Sequence, residues 1–173
     1  MALSDYINNK YDYLALRNTT APTVGTNQKK LGLELFNEST SGEITTGVQK
    51  LAQRWLLEFL TESGSMPGLP NRGTNFMRAA RTGRFRIEQN VRAEFALATM
   101  RAKQTLAAEE YAGMPNAERF ADAQLLNVII IPGGDVSPAS GVTAVFLSLN
   151  VKIISLAGDT REVIVPITYV PRN

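Results

Sequence analysis

From Glu43 to about residue 112 the hydrophobic spacing of this chain is helical, and after about residue 125 it gives way to a short apolar run and then to a period of two. A run of helices followed by a run of strands reads as an α+β fold. The expected architecture is two amphipathic helices, one of them long, packed on a small antiparallel sheet that ends in a C-terminal β-hairpin, with an extended N-terminal arm. Residues 1–40 are assigned to the arm and residues 41–173 to one domain.

The first helix is spelled by Ile44, Val48, Leu51, Ala52, Trp55, Leu56, Phe59 and Leu60, which share one face over about residues 43–62. Ser41 or Thr45 can cap its start, Ser63-Gly64 follows its last turn, and the whole stripe, Trp55 included, reads as core. Residues 63–75 (SGSMPGLPNRGTN) hold three Gly and two Pro and predict a loop of defined turns. Ile87, Val91, Phe95, Ala98, Ala102 and Leu106 predict a second helix over about 85–112, roughly 40 Å long at 1.5 Å per residue and stopped by Gly113-Met114-Pro115. A helix of that length needs a surface along all of it. The first helix covers only part, so the sheet or a neighbouring subunit takes the rest, and Ala93–Ala108 suits close packing on another helix.

In the arm, Tyr6, Tyr11, Tyr13 and Leu14 interrupt polar clusters and can anchor it on a partner or on its own body, and Leu31–Phe36 predicts a short strand. Leu125–Ile131 is an apolar strand ended by a turn at Pro132-Gly133-Gly134-Asp135, with a polar loop to Gly141. Val145, Leu147, Leu149, Val151 and Ile153 then alternate with more polar neighbours, and Ala157–Thr160 turns the chain into a last strand where Val163, Val165, Ile167 and Tyr169 share a face. Pro166 lacks an N–H for the ladder, which places that strand at an edge. An edge is where another chain adds a strand, unless the arm of the same chain covers it.

Composition removes most chemistry. With no His and no Cys there is no imidazole base, thiolate, disulfide or His/Cys metal site. Glu58 with Glu62, and Glu109 with Glu110, are expected on solvated surface rather than as acid pairs, and no phosphate-binding or calcium-binding loop motif occurs. No apolar run is long enough to span a membrane, and the polar, acidic start is unlike a signal peptide, so folding in a cytoplasm is expected. The net charge is only +2, but residues 72–92 hold six Arg (Arg72, Arg78, Arg81, Arg84, Arg86, Arg92) against the single Glu88. Arginine forks suit phosphate, and equally suit carboxylates across a protein interface or within the chain.

The order of parts, with Gly47–Leu57, then Leu60-Thr61-Glu62-Ser63-Gly64-Ser65-Met66-Pro67, then Arg72-Gly73-Thr74, resembles the baseplate wedge proteins of contractile-tailed bacteriophages known as sheath initiators. The likeness covers about residues 43–170. The family is also labelled lysozyme-like, a label without an acid pair to support it here. The chain departs from the family in its polar arm and in the family's Glu-Pro-Arg element, where Ala117-Glu118-Arg119-Phe120 has no proline. Glu118 and Arg119 are the equivalents.

The resemblance implies a structural virion protein, assembled in the host cytoplasm, with no catalytic residue and no cofactor. Six copies would surround the end of the tail tube and template the first sheath ring by strand addition. The implied partners are the tail sheath protein, the tail tube protein and other baseplate wedge proteins, not a membrane or nucleic acid. The partner-binding residues are then Arg78, Arg81, Arg84 and Arg86, with Glu118 and Arg119, and the terminal strand's Val163, Val165, Pro166, Ile167 and Tyr169. The competing readings are a tail terminator or connector ring protein, a DNA-binding protein using residues 72–92, and a muralytic enzyme.

Overall fold

The computed structural model describes residues 12–13, 16–20, 29–33, 44–137 and 142–171, with side chains described over 46–131 and 144–171. Tyr6, Tyr11 and Leu14 of the arm, residues 34–36 of the expected first strand, and Gly141 lie outside the described residues.

The elements run β1 (Asp12–Tyr13), β2 (Leu16–Thr20), β3 (Lys29–Leu33), β4 (Ile44–Thr45), α1 (Gly47–Leu60), α2 (Phe76–Arg81), α3 (Glu88–Ala108), a 3-10 turn (Asn116–Glu118), β5 (Phe120–Ser137), β6 (Val142–Ser155) and β7 (Thr160–Tyr169). The fold is α+β. β5, β6 and β7 form an antiparallel meander, as the alternating pattern requires. β2 and β3 extend the same sheet, in the order β2-β3-β7-β6-β5, while β1 and β4 pair separately.

Four expectations are corrected. β7 is not an edge strand: β3 runs beside it in parallel, with Leu31 opposite Val163, and the sheet's edges are β2 and β5. Pro166 still limits that pairing. Leu33 ends β3 two residues past Leu31, level with Val165, just before the position that has no N–H to offer. Second, β5 does not turn at Pro132-Gly133-Gly134 but runs on to Ser137, taking up those residues as register shifts between Pro132 and Ser137. Third, both helices are shorter than their apolar stripes. Ile44 and Thr45 pair as strand with Tyr13 and Asp12, so α1 starts only at Gly47. Residues 82–86 before α3 turn irregularly, with Phe85 in the core, and the extended Ile87 is the N-cap, so α3 starts at Glu88. Fourth, α2 was not expected, because six residues are too few to display a helical period.

The helices cover one face of the sheet. Leu147, Leu149, Val151 and Ile153 of β6 and Val163, Val165, Ile167 and Tyr169 of β7 meet Leu51, Trp55, Phe59, Val91 and Phe95 in one core. Rings link the layers in sequence. Trp55 stacks on Phe59 at 4.7 Å, Phe59 meets Phe76 at 4.5 Å, Phe76 meets Phe85 at 4.7 Å, and Phe85 meets the edge of Tyr169 at 6.3 Å. The short α2 therefore has a fixed place: its one aromatic side bridges α1 to the segment before α3.

Candidate functional site

α1 is held at both ends by a buried carboxylate. At its start, no side chain of its own N-cap bonds the free amides, and the role passes to Glu118 of the 3-10 turn. Glu118 is 2% exposed; its Oε1 accepts from Gly47 N at 3.3 Å and its Oε2 from Lys50 Nζ at 2.7 Å, with Lys50 itself 5% exposed. An acid at a helix N-terminus answers both the unpaired amides and the helix dipole.

At the other end Glu58 does the same for the following loop. The expected solvated position of Glu58 is corrected: it is 2% exposed, because the chain from Thr61 to Asn75 folds back over it. Its Oε1 accepts from Gly73 N at 2.6 Å and its Oε2 lies 3.0 Å from Arg72 Nε. Arg72 also reaches Glu109, which Arg54 holds at 2.9 Å, so α1, the loop and the end of α3 share one ion-pair network. Thr74 closes the loop from the backbone side, donating its N–H to Thr61 O at 2.8 Å and its hydroxyl to Phe59 O at 2.7 Å, while Ser63 N donates to Thr74 O at 2.9 Å. Gly73 makes the close approach possible. Its φ is +86°, and a Cβ there would stand 2.5 Å from Thr61 O.

The arginine-rich segment is largely spent on the chain's own carboxylates. Arg78 binds Glu62 at 3.0 Å and Arg81 binds the same Glu62. Arg84 binds Glu94 at 2.9 Å and Arg92 binds Glu88 at 2.7 Å. Arg86 is exposed and makes no ion pair among the described residues, leaving it the one arginine of the six with its guanidinium open to a partner.

Arg119 lies 3.7 Å from Glu110, so the two neighbours Glu118 and Arg119 tie α1 and the end of α3 respectively. The terminal-strand candidates divide sharply. Val163, Val165, Ile167 and Tyr169 are buried against the helices, whereas Pro166 is exposed on the opposite face. With β3 on one side of β7 and β6 on the other, and these four side chains in the core, the terminal strand is not where another chain adds. Tyr169 Oη donates to Phe85 O at 3.4 Å, and burial pushes its phenol pKa above the usual 10.0.

The β5 edge carries exposed apolar side chains, Leu126, Ile129 and Ile131, and β6 is its only strand partner among the described residues. Its first part is tied to α3. Lys103 Nζ donates to Ala121 O at 2.9 Å and Arg92 Nη1 to Leu125 O at 3.2 Å, each beside a register shift where the β6 ladder loosens. Hydropathy marked β5 as a strand; only its unequal pairing reveals that it is the edge.

Among the described residues no cluster of three or more Asp and Glu is placed to hold a metal ion, and no helix is long and apolar enough to cross a membrane. The two buried carboxylates are committed to amides and cations of the same chain. No protein family, curated protein or solved structure matches the chain.

Proposed function

We propose that this chain is a structural, non-catalytic component of a contractile phage-tail baseplate, acting as a sheath initiator: six copies join wedge and tube proteins and present a strand edge to the first ring of sheath. The observation that carries the reading is the β5 edge. From Leu126 to Ile131 it offers main-chain groups with no neighbouring strand among the described residues, flanked by exposed Leu126, Ile129 and Ile131. Main-chain pairing supplies affinity in such a template and the alternating side chains supply register.

The clamps at both ends of α1 support the same role, since a template must hold its edge at a fixed height and angle. The arginines weigh on the same side: Arg72, Arg78, Arg81, Arg84 and Arg92 already face carboxylates of this chain. A DNA-binding face would leave them open.

The test is affinity capture of tagged protein from the source lysate, with bound proteins identified by mass spectrometry. The wild-type chain is expected to recover tail sheath, tube and wedge proteins. The Ile129→Lys, Ile131→Lys double variant, altered only at exposed positions, is expected to lose sheath at least tenfold while keeping tube and wedge proteins. Recovery of nucleic acid, or of no tail protein, overturns the assignment; undiminished sheath recovery by the variant overturns the β5 edge.

A further inference from the structure

In an antiparallel ladder, successive residues turn their N–H and C=O alternately toward one neighbouring strand and the other. Leu125 O accepts from Arg92 of α3 at 3.2 Å, so Leu125 faces away from β6, and its ladder partner Val151 faces β7. Leu149, Leu147 and Val145 follow Val151 at every second position and share its orientation. Their partners Val128, Ile130 and Pro132 therefore face the open edge, while Ile129 and Ile131 face β6. The same alternation turns Pro166, opposite Ser148, toward β3, so its missing N–H removes no bond between β6 and β7.

Two of the three outward positions have no N–H to give. Val128 N already donates to Oδ1 of Asn127 at 2.9 Å, and Pro132 lacks the group. Between the register shift at Leu125/Asn127 and the one after Pro132, the edge offers the carbonyls of Val128, Ile130 and Pro132 but a single donor, Ile130 N–H.

That imbalance separates partners. Two copies of β5 laid edge to edge bring one free N–H each, so no register between them closes more than two bonds, and the other carbonyls face carbonyls. A foreign strand brings all its amides. Centred on Ile130, it accepts from Ile130 N–H and donates to Val128 O, Ile130 O and Pro132 O, without disturbing Asn127. The exposed Ile129 and Ile131 would otherwise draw two such edges together, and a shortage of donors is what opposes it.

We propose that Asn127 and Pro132 set the specificity of the β5 edge, emptying it of donors so that it rejects a second copy and accepts a foreign segment of about five residues. That segment has an N–H, hence no proline, at each of the three alternate positions turned to β5, and apolar side chains beside Ile129 and Ile131. The identity of the partner rests on the strand-addition reading proposed above; the count of donors belongs to the chain itself and is tested on it alone.

Amide hydrogen exchange followed by NMR reads that count. Ile129 and Ile131 are expected to exchange slowest, Ile130 fastest, and Val128 between them. Asn127→Ala should speed Val128 at least tenfold and leave Ile129 and Ile131 unchanged, which also reports that the ladder is intact. Sedimentation velocity up to about 1 mM reads the consequence. Wild type should stay an 18.9 kDa monomer, whereas Asn127→Ala combined with Pro132→Ala, which frees two donors per copy, should self-associate at least tenfold more tightly, with Ile130 newly protected. Val128 exchanging as fast as Ile130 in wild type, a double variant no more associated than wild type, or protection of Ile130 in concentrated wild type each overturns the proposal. Failure to recover tail proteins from lysate would instead overturn the strand-addition reading and leave these outcomes in place.

Discussion

Replacing Gly73 with Ala tests the clamp behind α1 at its tightest point. The backbone there has φ +86°, a conformation that costs an L-residue with a Cβ about 1 kcal/mol or more. The added methyl would also stand 2.5 Å from Thr61 O, 2.9 Å from Thr61 C and 3.0 Å from Glu62 C, all backbone atoms that cannot swing aside. Relieving such overlap costs a further ~2–3 kcal/mol and pulls the Gly73 amide from the buried Glu58. The total is about 3–4 kcal/mol, which at ~3 °C per kcal/mol lowers the melting temperature by about 10 °C. Gly68 is the internal control: its φ is +79°, but a Cβ there meets nothing within 4 Å, so Gly68→Ala carries the conformational cost alone, about 1 kcal/mol. Thermal and urea unfolding of the two variants separates the two contributions. Equal losses would refute the close approach of the loop to Thr61, and with it the account of how Glu58 is buried.

Two further outcomes follow from buried groups. Glu118→Gln removes the carboxylate facing buried Lys50 and is expected to cost about 3–5 kcal/mol in urea unfolding, while the double replacement Lys50→Met, Glu118→Leu recovers the ion-pair share but not the ~1 kcal/mol of the cap lost at Gly47; a double variant as weak as the single one would refute that share. Tyr169 holds its proton to higher pH when folded than when unfolded, so its contribution is complete below about pH 10 and is lost as pH rises through the raised folded pKa. Urea unfolding of wild type between pH 9 and about 11 should therefore show falling stability, and Tyr169→Phe should flatten that fall; an unchanged slope would sink the attribution.

Much of the fold was legible in the residues. The core stripe from Leu51 to Phe59 and the alternation of Val145–Ile153 and Val163–Tyr169 follow directly from side-chain period, and the structure buries them accordingly. What period cannot report is pairing. Nothing in Lys29–Leu33 says that it will lie along β7, and so Pro166, correctly read as hostile to a ladder, was assigned to the wrong place in the sheet. Charge is similarly mute about partners. Glu58 falls on the polar face of α1 in sequence, and only the return of the loop, fixed by Arg72-Gly73-Thr74, makes it a buried ligand for an amide. The same limit applies to α3: the sequence displayed its length and its alanines, whereas the bonds of Arg92 and Lys103 to carbonyls of β5, and of Arg101 to Asn71 O, emerge only where the fold lays those segments beside it.

The edge of β5 and the helix α3 are joined through Lys103 and Arg92, and this bears on register. Strand addition is sensitive to slippage, because a shift by one residue sends every side chain to the opposite face. An uninterrupted edge offers no protection against it. Here the carbonyls of Ala121 and Leu125 are already occupied by side chains from α3, so a segment pairing along Leu126–Ile131 meets a stop at Leu125. Cationic side chains laid on an edge are an ordinary defence against unwanted pairing, but placed over only part of the strand they also define where wanted pairing begins. If a strand adds at β5 as proposed, α3 sets its stop at Leu125, and the exposed Ile129 and Ile131 beyond it are the side chains its alternation must match.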